Sequence, residues 1–303
     1  MRKYVIGAFI SVAALSGTAQ TDAYLKLRDE KKTHPRIVSI SFPGDANTRQ
    51  MYDAIYGHGA VIENPWVAYR VYMDNRQSLD LYVKQTPQIE LDVTGFYTTP
   101  KQIEDGYGCD VLWAGKSIAA GSFRGWQNEE PVTIDTVSVR TQKVLDDHTI
   151  QVVDKDWIYN GYPIQMTQTY SVLPNSRDLF VEIKLEGYRP DEVFCTGIQK
   201  LETDNEGFLK SEGRAASWGS NIPDKGHPEF VEKVGLGIIV EPENVVSTLE
   251  SELNYLVLVK PDNDGIIRYR VIACGDREKN GFANYKDWSN YIKSLKLTNY
   301  EDK

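Results

Sequence analysis

Short runs of alternating apolar and polar residues recur along this 303-residue chain. They predict β-strands, because successive side chains of a strand point to opposite faces. Clusters of Gly, Asn, Asp and Pro separate the runs and are typical of turns. We expect strands at 36–42, 66–73, 78–84, 111–123, 136–145, 150–159, 164–173, 179–187, 193–201, 235–241, 255–260 and 266–274.

Helical patterns are sparse. Residues 47–57 predict a short helix closed by Gly57, and residues 284–297 predict a C-terminal helix with an Asn cap. A dozen strands with few helices indicate an all-β protein, and we expect a large antiparallel sandwich of two sheets. No repeat or linker divides the chain, so residues 20–303 are predicted to form a single β-sandwich domain, with a surface loop at 210–230.

The first nineteen residues have the pattern of a cleavable signal peptide. Arg2 and Lys3 precede an apolar run over residues 5–15, small residues follow, and cleavage is expected before Gln20. The run is too short to span a bilayer. The mature protein is therefore predicted to be periplasmic or secreted, without membrane insertion.

Charge and composition narrow the range of partners and cofactors that the protein is expected to bind. The chain has 34 Lys and Arg against 43 Asp and Glu, a formal charge of −9. This balance argues against a nucleic-acid partner, although a few local cations could still bind an anionic sugar. Three widely spaced cysteines and four scattered histidines give no metal-binding pattern, so no metal and no cofactor are predicted. A carboxylate site for a hard ion stays open.

The stretch Gly57-His58-Gly59 precedes the predicted strand 66–73. An imidazole titrates near neutral pH, so His58 could be a general base or acid, or only a histidine in a turn. Asn64 could hydrogen-bond a substrate carboxylate, or it could start the strand that follows Pro65.

The strand pair 66–73 and 78–84 has one apolar and one polar face. A three-residue loop over 75–77 would align the apolar faces. It would place Tyr72 opposite Asp80 and Arg70 opposite Tyr82. This polar face is either an ordinary solvated surface or the floor of a cleft for an anionic sugar. The polar face carries Arg70, Tyr72, Asp80, Tyr82 and Lys84.

The segment 106–126, GYGCDVLWAGKSIAAGSFRGW, is unusually rich in small residues. Small residues allow either tight packing of one sheet on another or close approach of a ligand. In the second interpretation the segment forms a groove floor, where cations bind sugar oxygens and an indole stacks on a sugar ring. The candidate binding residues there are Tyr107, Lys116, Arg124 and Trp126.

The stretches YGHGAVIENPWVAYRVYMDNRQSLDLYVK, GYGCDVLWAGKSIAAGSFRGW and FCTGIQKLE resemble, in that order, domain-of-unknown-function family 4861. The resemblance extends to the closing WSNYIKSL. It implies a fold related to the galactose-mutarotase-like supersandwich. It also implies a role in glycan degradation, because members of the family tend to occur in saccharolytic bacteria beside genes for breaking down uronate-containing glycans.

Together these observations favour β-elimination, by a lyase or dehydratase, on a uronic acid in an oligosaccharide or polysaccharide. His58 would be the base, or share that role with a tyrosine, and Tyr72 or Tyr82 would be the acid, while Arg70, Lys84 and Asn64 would neutralise the carboxylate. Two alternatives remain open: a mutarotase-like epimerase or glycoside hydrolase, and a non-catalytic periplasmic glycan-binding protein.

Overall fold

The computed structural model describes residues 21–221 and 231–296, so the predicted signal peptide at 1–19 lies outside them. Most of the regular structure in this part is β-strand. The strands are β1 (Asp22–Leu27), β2 (Ser39–Pro43), β3 (Ile55–Glu63), β4 (Val67–Tyr72), β5 (Leu79–Val83), β6 (Cys109–Asp110), β7 (Arg124–Gln127), β8 (Glu130–Val132), β9 (Val139–Val144), β10 (Thr149–Tyr159), β11 (Tyr162–Val172), β12 (Asp178–Glu186), β13 (Phe194–Gln199), β14 (Thr203–Lys210), β15 (Arg214–Ser220), β16 (Lys233–Val240), β17 (Val245–Glu250), β18 (Asn254–Val259) and β19 (Ile266–Gly275). The helices are α1 (Thr48–Ala54), α2 (Leu91–Thr94), α3 (Pro100–Glu104) and α4 (Tyr285–Ser294).

The strands form three antiparallel sheets. Sheet 1 has the order β1-β3-β4-β5-β6, sheet 2 the order β14-β15-β16-β19-β12-β11-β10-β9-β2, and sheet 3 the order β17-β18-β13-β7-β8. Sheets 1 and 3 both pack against sheet 2, and one apolar core contains residues from all three. The predicted all-β antiparallel sandwich is therefore confirmed, with two separate sheets packed on the larger one.

The β4–β5 hairpin orients its faces as the alternation predicts. Its apolar side chains are buried in the core between sheets 1 and 2. The predicted register was wrong by two residues, because Arg70 pairs with Asp80 and Ala68 with Tyr82. The connection is longer than the predicted three residues. Asp74 belongs to it and forms a turn there, in which its Oδ1 accepts the backbone N–H groups of Arg76 and Gln77. A shift of two residues leaves every side chain on its predicted face.

Other local predictions also needed correction. The predicted strand at 111–123 is an irregular connection between β6 and β7, in which Gly115, Ala119 and Gly121 have positive φ. The predicted loop at 210–230 contains the buried strand β15, and its residues 222–230 lie outside the described part.

The two predicted helices are present but shorter. Helix α1 ends at Ala54, so Gly57 belongs to β3 and does not close the helix. The C-terminal helix is confirmed as α4 with Asn284 as its N-cap. It packs Trp288 onto Gly235 of sheet 2, where an added Cβ would lie 2.7 Å from the indole.

Candidate functional site

The Gly-His-Gly stretch forms a bulge inside β3. Tyr24 of β1 pairs with Val61 and Lys26 pairs with Tyr56, so the residues between Tyr56 and Val61 face a single residue of β1. His58 has a left-handed backbone, with φ of 72°, which costs a residue with a side chain on the order of 1 kcal/mol. The carbonyl oxygen of His58 accepts the backbone N–H of Met73 at 3.0 Å, which fixes the bulge to the hairpin.

His58 lies where two cavities meet. A larger cavity of about 590 Å³ and a smaller one of about 240 Å³ both have His58 and Tyr97 in their walls. Three exposed aromatic side chains line them: Tyr97 is 60% exposed, Trp113 56% and Tyr56 39%. Exposed aromatic rings are suited to stacking on the apolar faces of sugars. We refer to the two cavities together as the His58 cleft.

The imidazole of His58 is half-buried between two tyrosines. Its ring centroid lies 4.2 Å from that of Tyr52 and 6.2 Å from that of Tyr72, whose ring is nearly parallel to it. Nδ1 of His58 is buried and has no hydrogen-bond partner among the described residues. Burial, together with the positive charges of Arg70 and Arg28, lowers the pKa of His58 to about 4. His58 is therefore a neutral imidazole at neutral pH, and one of its nitrogens is a free acceptor.

A buried polar cluster centred on Arg70 forms one wall of the cleft. The guanidinium of Arg70 pairs with Asp80, and its Nη2 donates a 2.8 Å hydrogen bond to the hydroxyl of Tyr72. Tyr72 in turn donates to Asp80 at 3.2 Å. Burial and the Asp80 charge raise the pKa of Tyr72 far above its usual value, so its phenol keeps the proton.

Asp110 is the second carboxyl of this cluster. Its Oδ2 lies 3.7 Å from Nη2 of Arg70. Burial and the nearby Asp80 charge raise the pKa of Asp110 well above the ordinary range, which favours its neutral form. The cluster thus combines one guanidinium, one phenol and two carboxyls.

Three aromatic rings surround the guanidinium of Arg70. Its Cζ lies 4.1 Å from the ring centroid of Phe96, 4.8 Å from that of Tyr72 and 5.0 Å from that of Tyr97. Its Nε and Nη1 are buried and have no hydrogen-bond partner in the described part of the chain.

The other half of the polar face is covered. Leu91 of α2 and Phe96 pack over Ala68 and Tyr82. The hydroxyl of Tyr82 donates to Glu90 Oε1 at 2.7 Å. Tyr82 therefore holds the segment that carries α2 and lies outside the walls of the His58 cleft.

Lys84 is also enclosed. Its ammonium pairs with the buried carboxylate of Glu63 and donates to the carbonyl oxygens of Asn64 and Gln88. Glu63 further accepts the backbone N–H of Glu90 at 2.7 Å. All three ammonium N–H groups thus bind protein oxygens.

Asn64 has a structural role of the same kind. Its Oδ1 accepts the backbone N–H groups of Trp66 and Val67, and its Nδ2 donates to the carbonyl oxygens of Leu173 and Ser176. Asn64 thus starts β4 and ties it to the loop after β11.

The segment 106–126 reaches the cleft only in part. Asp110 joins the Arg70 cluster, and residues 112–115 line the smaller cavity. Arg124 is buried elsewhere, where it donates to the carbonyl oxygen of Phe123 at 2.8 Å and burial lowers its pKa to about 10. The half-buried Tyr107 and Trp126 and the exposed Lys116 line neither cavity.

Several cleft residues were not among the sequence candidates. Tyr52 lies on α1, and Phe96 and Tyr97 lie on the short link between α2 and α3. Isolated aromatics in such segments carry no periodic signal. Trp113 and Asp110 do lie in the segment 106–126, where the concentration of glycines was the available signal.

The structure describes one group of potential metal ligands close enough to share an ion, Asp146, Asp147 and His148, at the exposed turn between β9 and β10. Exposed acidic groups of this kind are common without an ion, so we assign no metal site to these three residues. No helix within residues 21–221 or 231–296 has the length and apolar character to cross a membrane.

The fold and cleft define an all-β protein whose candidate site is an aromatic-lined cleft around a neutral histidine. The chain belongs to the family described as Domain of unknown function (DUF4861), whose model matches residues 3–298. No curated protein matches the chain. It is similar to the crystal structure of a TPR-domain containing protein from Parabacteroides distasonis, with 10% identity and a TM-score of 0.40. That match covers 91% of this chain but only 56% of the other, and a likeness at this level carries no argument about function.

Proposed function

We propose that this protein is a carbohydrate-active enzyme that catalyses β-elimination on a uronic acid residue of an oligosaccharide or polysaccharide. The observation that carries the proposal is the pairing of an acceptor and a donor in one cavity. The neutral imidazole of His58 and the protonated phenol of Tyr72 line the same smaller cavity, with ring centroids 6.2 Å apart.

The reaction needs a base and an acid at neighbouring atoms of one sugar ring. His58 removes the proton from C5, and the electrons of the C5–H bond form the C4–C5 double bond. The C4–O4 bond breaks, and O4 takes the phenolic proton of Tyr72. Because C5 and O4 are both bonded to C4, a base and an acid only a few ångströms apart can act on them together.

The Arg70 cluster supports the acid. As the Tyr72 phenol gives up its proton, the hydrogen bond from Arg70 Nη2 stabilises the developing phenolate, and it is strengthened by the buried surroundings. Before the sugar binds, this hydroxyl donates to Asp80, so in the proposed reaction its proton turns from Asp80 to O4. Trp113, exposed in the wall of the smaller cavity, offers a stacking surface for a sugar unit.

The proposal includes action outside the cytoplasm. Positions 1–19 support this location, because their basic start, short apolar run and small residues are typical of a signal peptide.

A glycoside hydrolase is a second candidate, and one observation favours it. Asp80 and Asp110 lie beside the same guanidinium, and the raised pKa of Asp110 is the property required of a general acid. The products distinguish the two reactions, because hydrolysis leaves saturated sugars and elimination leaves a C4–C5 double bond.

The experiment is to incubate the mature protein with a panel of uronate-containing oligosaccharides and to follow the ultraviolet absorbance of the unsaturated product, with mass spectrometry alongside. We expect product formation, and a loss of about 10²–10⁴-fold in kcat for His58→Ala and for Tyr72→Phe. His148→Ala, which removes an exposed histidine outside the cleft, is the matched control. Saturated products would favour the hydrolase, and saturable binding without any product would favour a glycan-binding protein.

A further inference from the structure

The guanidinium of Arg70 is buried with part of its hydrogen-bonding capacity unused. Its Nη2 is occupied by Asp80 and Tyr72, whereas Nε and Nη1 have no partner among the described residues. Buried donors without acceptors are uncommon in folded proteins, and each one calls for an explanation. Arg70 nevertheless lies in the wall of the larger cavity, where a ligand could supply the missing acceptor.

One of the three rings around Arg70 differs from the others. Phe96 is buried in the cluster that covers sheet 1, and Tyr72 is held by two hydrogen bonds. Tyr97 is 60% exposed, lines both cavities, and has no side-chain hydrogen bond to any residue that the structure describes. An exposed side chain of this kind changes rotamer readily.

We propose that Tyr97 covers an anion-binding subsite formed by Nε and Nη1 of Arg70, and that its ring moves aside when the carboxylate of an acidic sugar enters the larger cavity. The choice of a sugar carboxylate rests on the proposed function. The incoming carboxylate replaces a cation–π contact by charge-assisted hydrogen bonds, which are the stronger interaction.

The charges around the larger cavity allow an anion to enter. Asp80 repels it, but Arg28 and Lys32 line the same cavity and have no ion pair with a described residue. Asp29 and Glu30 line the cavity too and act against these cations, so the selectivity is assigned to the buried donors of Arg70.

The subsite is tested by binding, without any need for turnover. Methyl glycosides of glucuronic and galacturonic acid are compared with the matching neutral hexosides by titration calorimetry. A charge-assisted hydrogen bond predicts that an acidic glycoside binds at least about tenfold more tightly than its neutral counterpart. Arg70→Lys keeps a positive charge beside Asp80 but removes both vacant donors, and we expect it to abolish the preference. The side-chain Nε–H signal of Arg70, observed by NMR, should shift with the acidic glycoside and stay unchanged with the neutral one.

The movement of Tyr97 is tested by stopped-flow fluorescence, with Trp113 in the cleft as a reporter. Wild type and the matched control Tyr97→Phe should show a binding rate that saturates with ligand concentration, because a ring must move. In Tyr97→Ala this saturation should disappear. Because Tyr97 is exposed, this variant should fold even if Arg70→Lys does not.

Equal affinities for acidic and neutral glycosides, an unchanged Nε–H signal, or identical kinetics in Tyr97→Ala and wild type would each overturn the proposal. Acidic-sugar binding at Arg70 without elimination would leave the subsite intact and refute only the proposed reaction. Elimination without a preference for acidic glycosides and without the changes at Arg70 and Tyr97 would support the proposed reaction and refute only the subsite.

Discussion

Replacing Lys84 should destabilise the protein strongly, because its ammonium is buried just beyond the end of β5. Only 1% of the Lys84 side chain is exposed and none of its partner Glu63. Burial lowers the pKa of Lys84 and raises that of Glu63, so each charge depends on the other. In Lys84→Met the methionine fills similar space but leaves the Glu63 carboxylate without its cation.

Removing one partner of a buried ion pair costs about 3–5 kcal/mol. For a protein of this size we expect the melting temperature to fall by roughly 5–15 °C. The assay is thermal unfolding followed by circular dichroism at pH 7. The matched control is Lys101→Met, which removes an exposed lysine from its ion pair with Asp105 and should not change the midpoint measurably.

The double variant Glu63→Gln/Lys84→Met should recover part of the loss, because no unpaired charge remains. A melting temperature for Lys84→Met within about 1 °C of wild type would refute the buried ion pair and would make Lys84 a candidate for substrate binding again.

Three further predictions follow from single positions. Gly59→Ala should lower the free energy of unfolding by at least about 2 kcal/mol, because its Cβ would lie 1.9 Å from the carbonyl oxygen of Val71. Gly57→Ala should lower it by only about 1 kcal/mol, because its added Cβ has no atom within 4 Å and the cost comes from the positive φ alone. Equal losses for the two variants in urea unfolding would contradict this difference. Burial raises the pKa of Glu232 from 4.5 to about 7, so between these pH values the folded state keeps a proton on Glu232 that the unfolded state has lost. The free energy of unfolding should therefore fall by up to about 3 kcal/mol as pH rises from 4.5 to 7. Glu232→Gln should remove this pH dependence, and an unchanged dependence would show that another group titrates. With uronate substrates, kcat/KM should rise with pH through a pKa of about 4, as His58 loses its proton, and should not rise further above that pKa. An acidic side of the profile governed by a pKa near 6.5 would mean that His58 is not the base.

The alternation of residues 66–84 was sufficient to predict which side chains share a face, because each face of a strand is fixed by its period of two. It did not predict the register. The Asx turn formed by Asp74 adds residues to the connection, and sequence spacing alone does not show whether such a turn forms.

The sequence also placed Arg70 and Lys84 on one face without showing that they have different surroundings. The segment carrying α2 covers Tyr82 and encloses Lys84, while the bulge at His58 leaves Tyr72 and Asp80 beside a cavity. This difference arises from contacts between residues far apart in the chain. For the same reason the contribution of Tyr97, a lone aromatic between two short helices, could not be predicted.

The central claim is that His58 removes the C5 proton of a uronic acid while Tyr72 protonates the departing oxygen. The most direct test is proton exchange at C5, followed by NMR in deuterated water with the Tyr72→Phe variant. This variant keeps the base but lacks the acid, so the H5 signal of the bound uronate should disappear by exchange while C4–O4 stays intact. The double variant that also carries His58→Ala should show no exchange. Exchange that persists without His58, or that is absent from Tyr72→Phe although the sugar binds, would contradict the proposed mechanism.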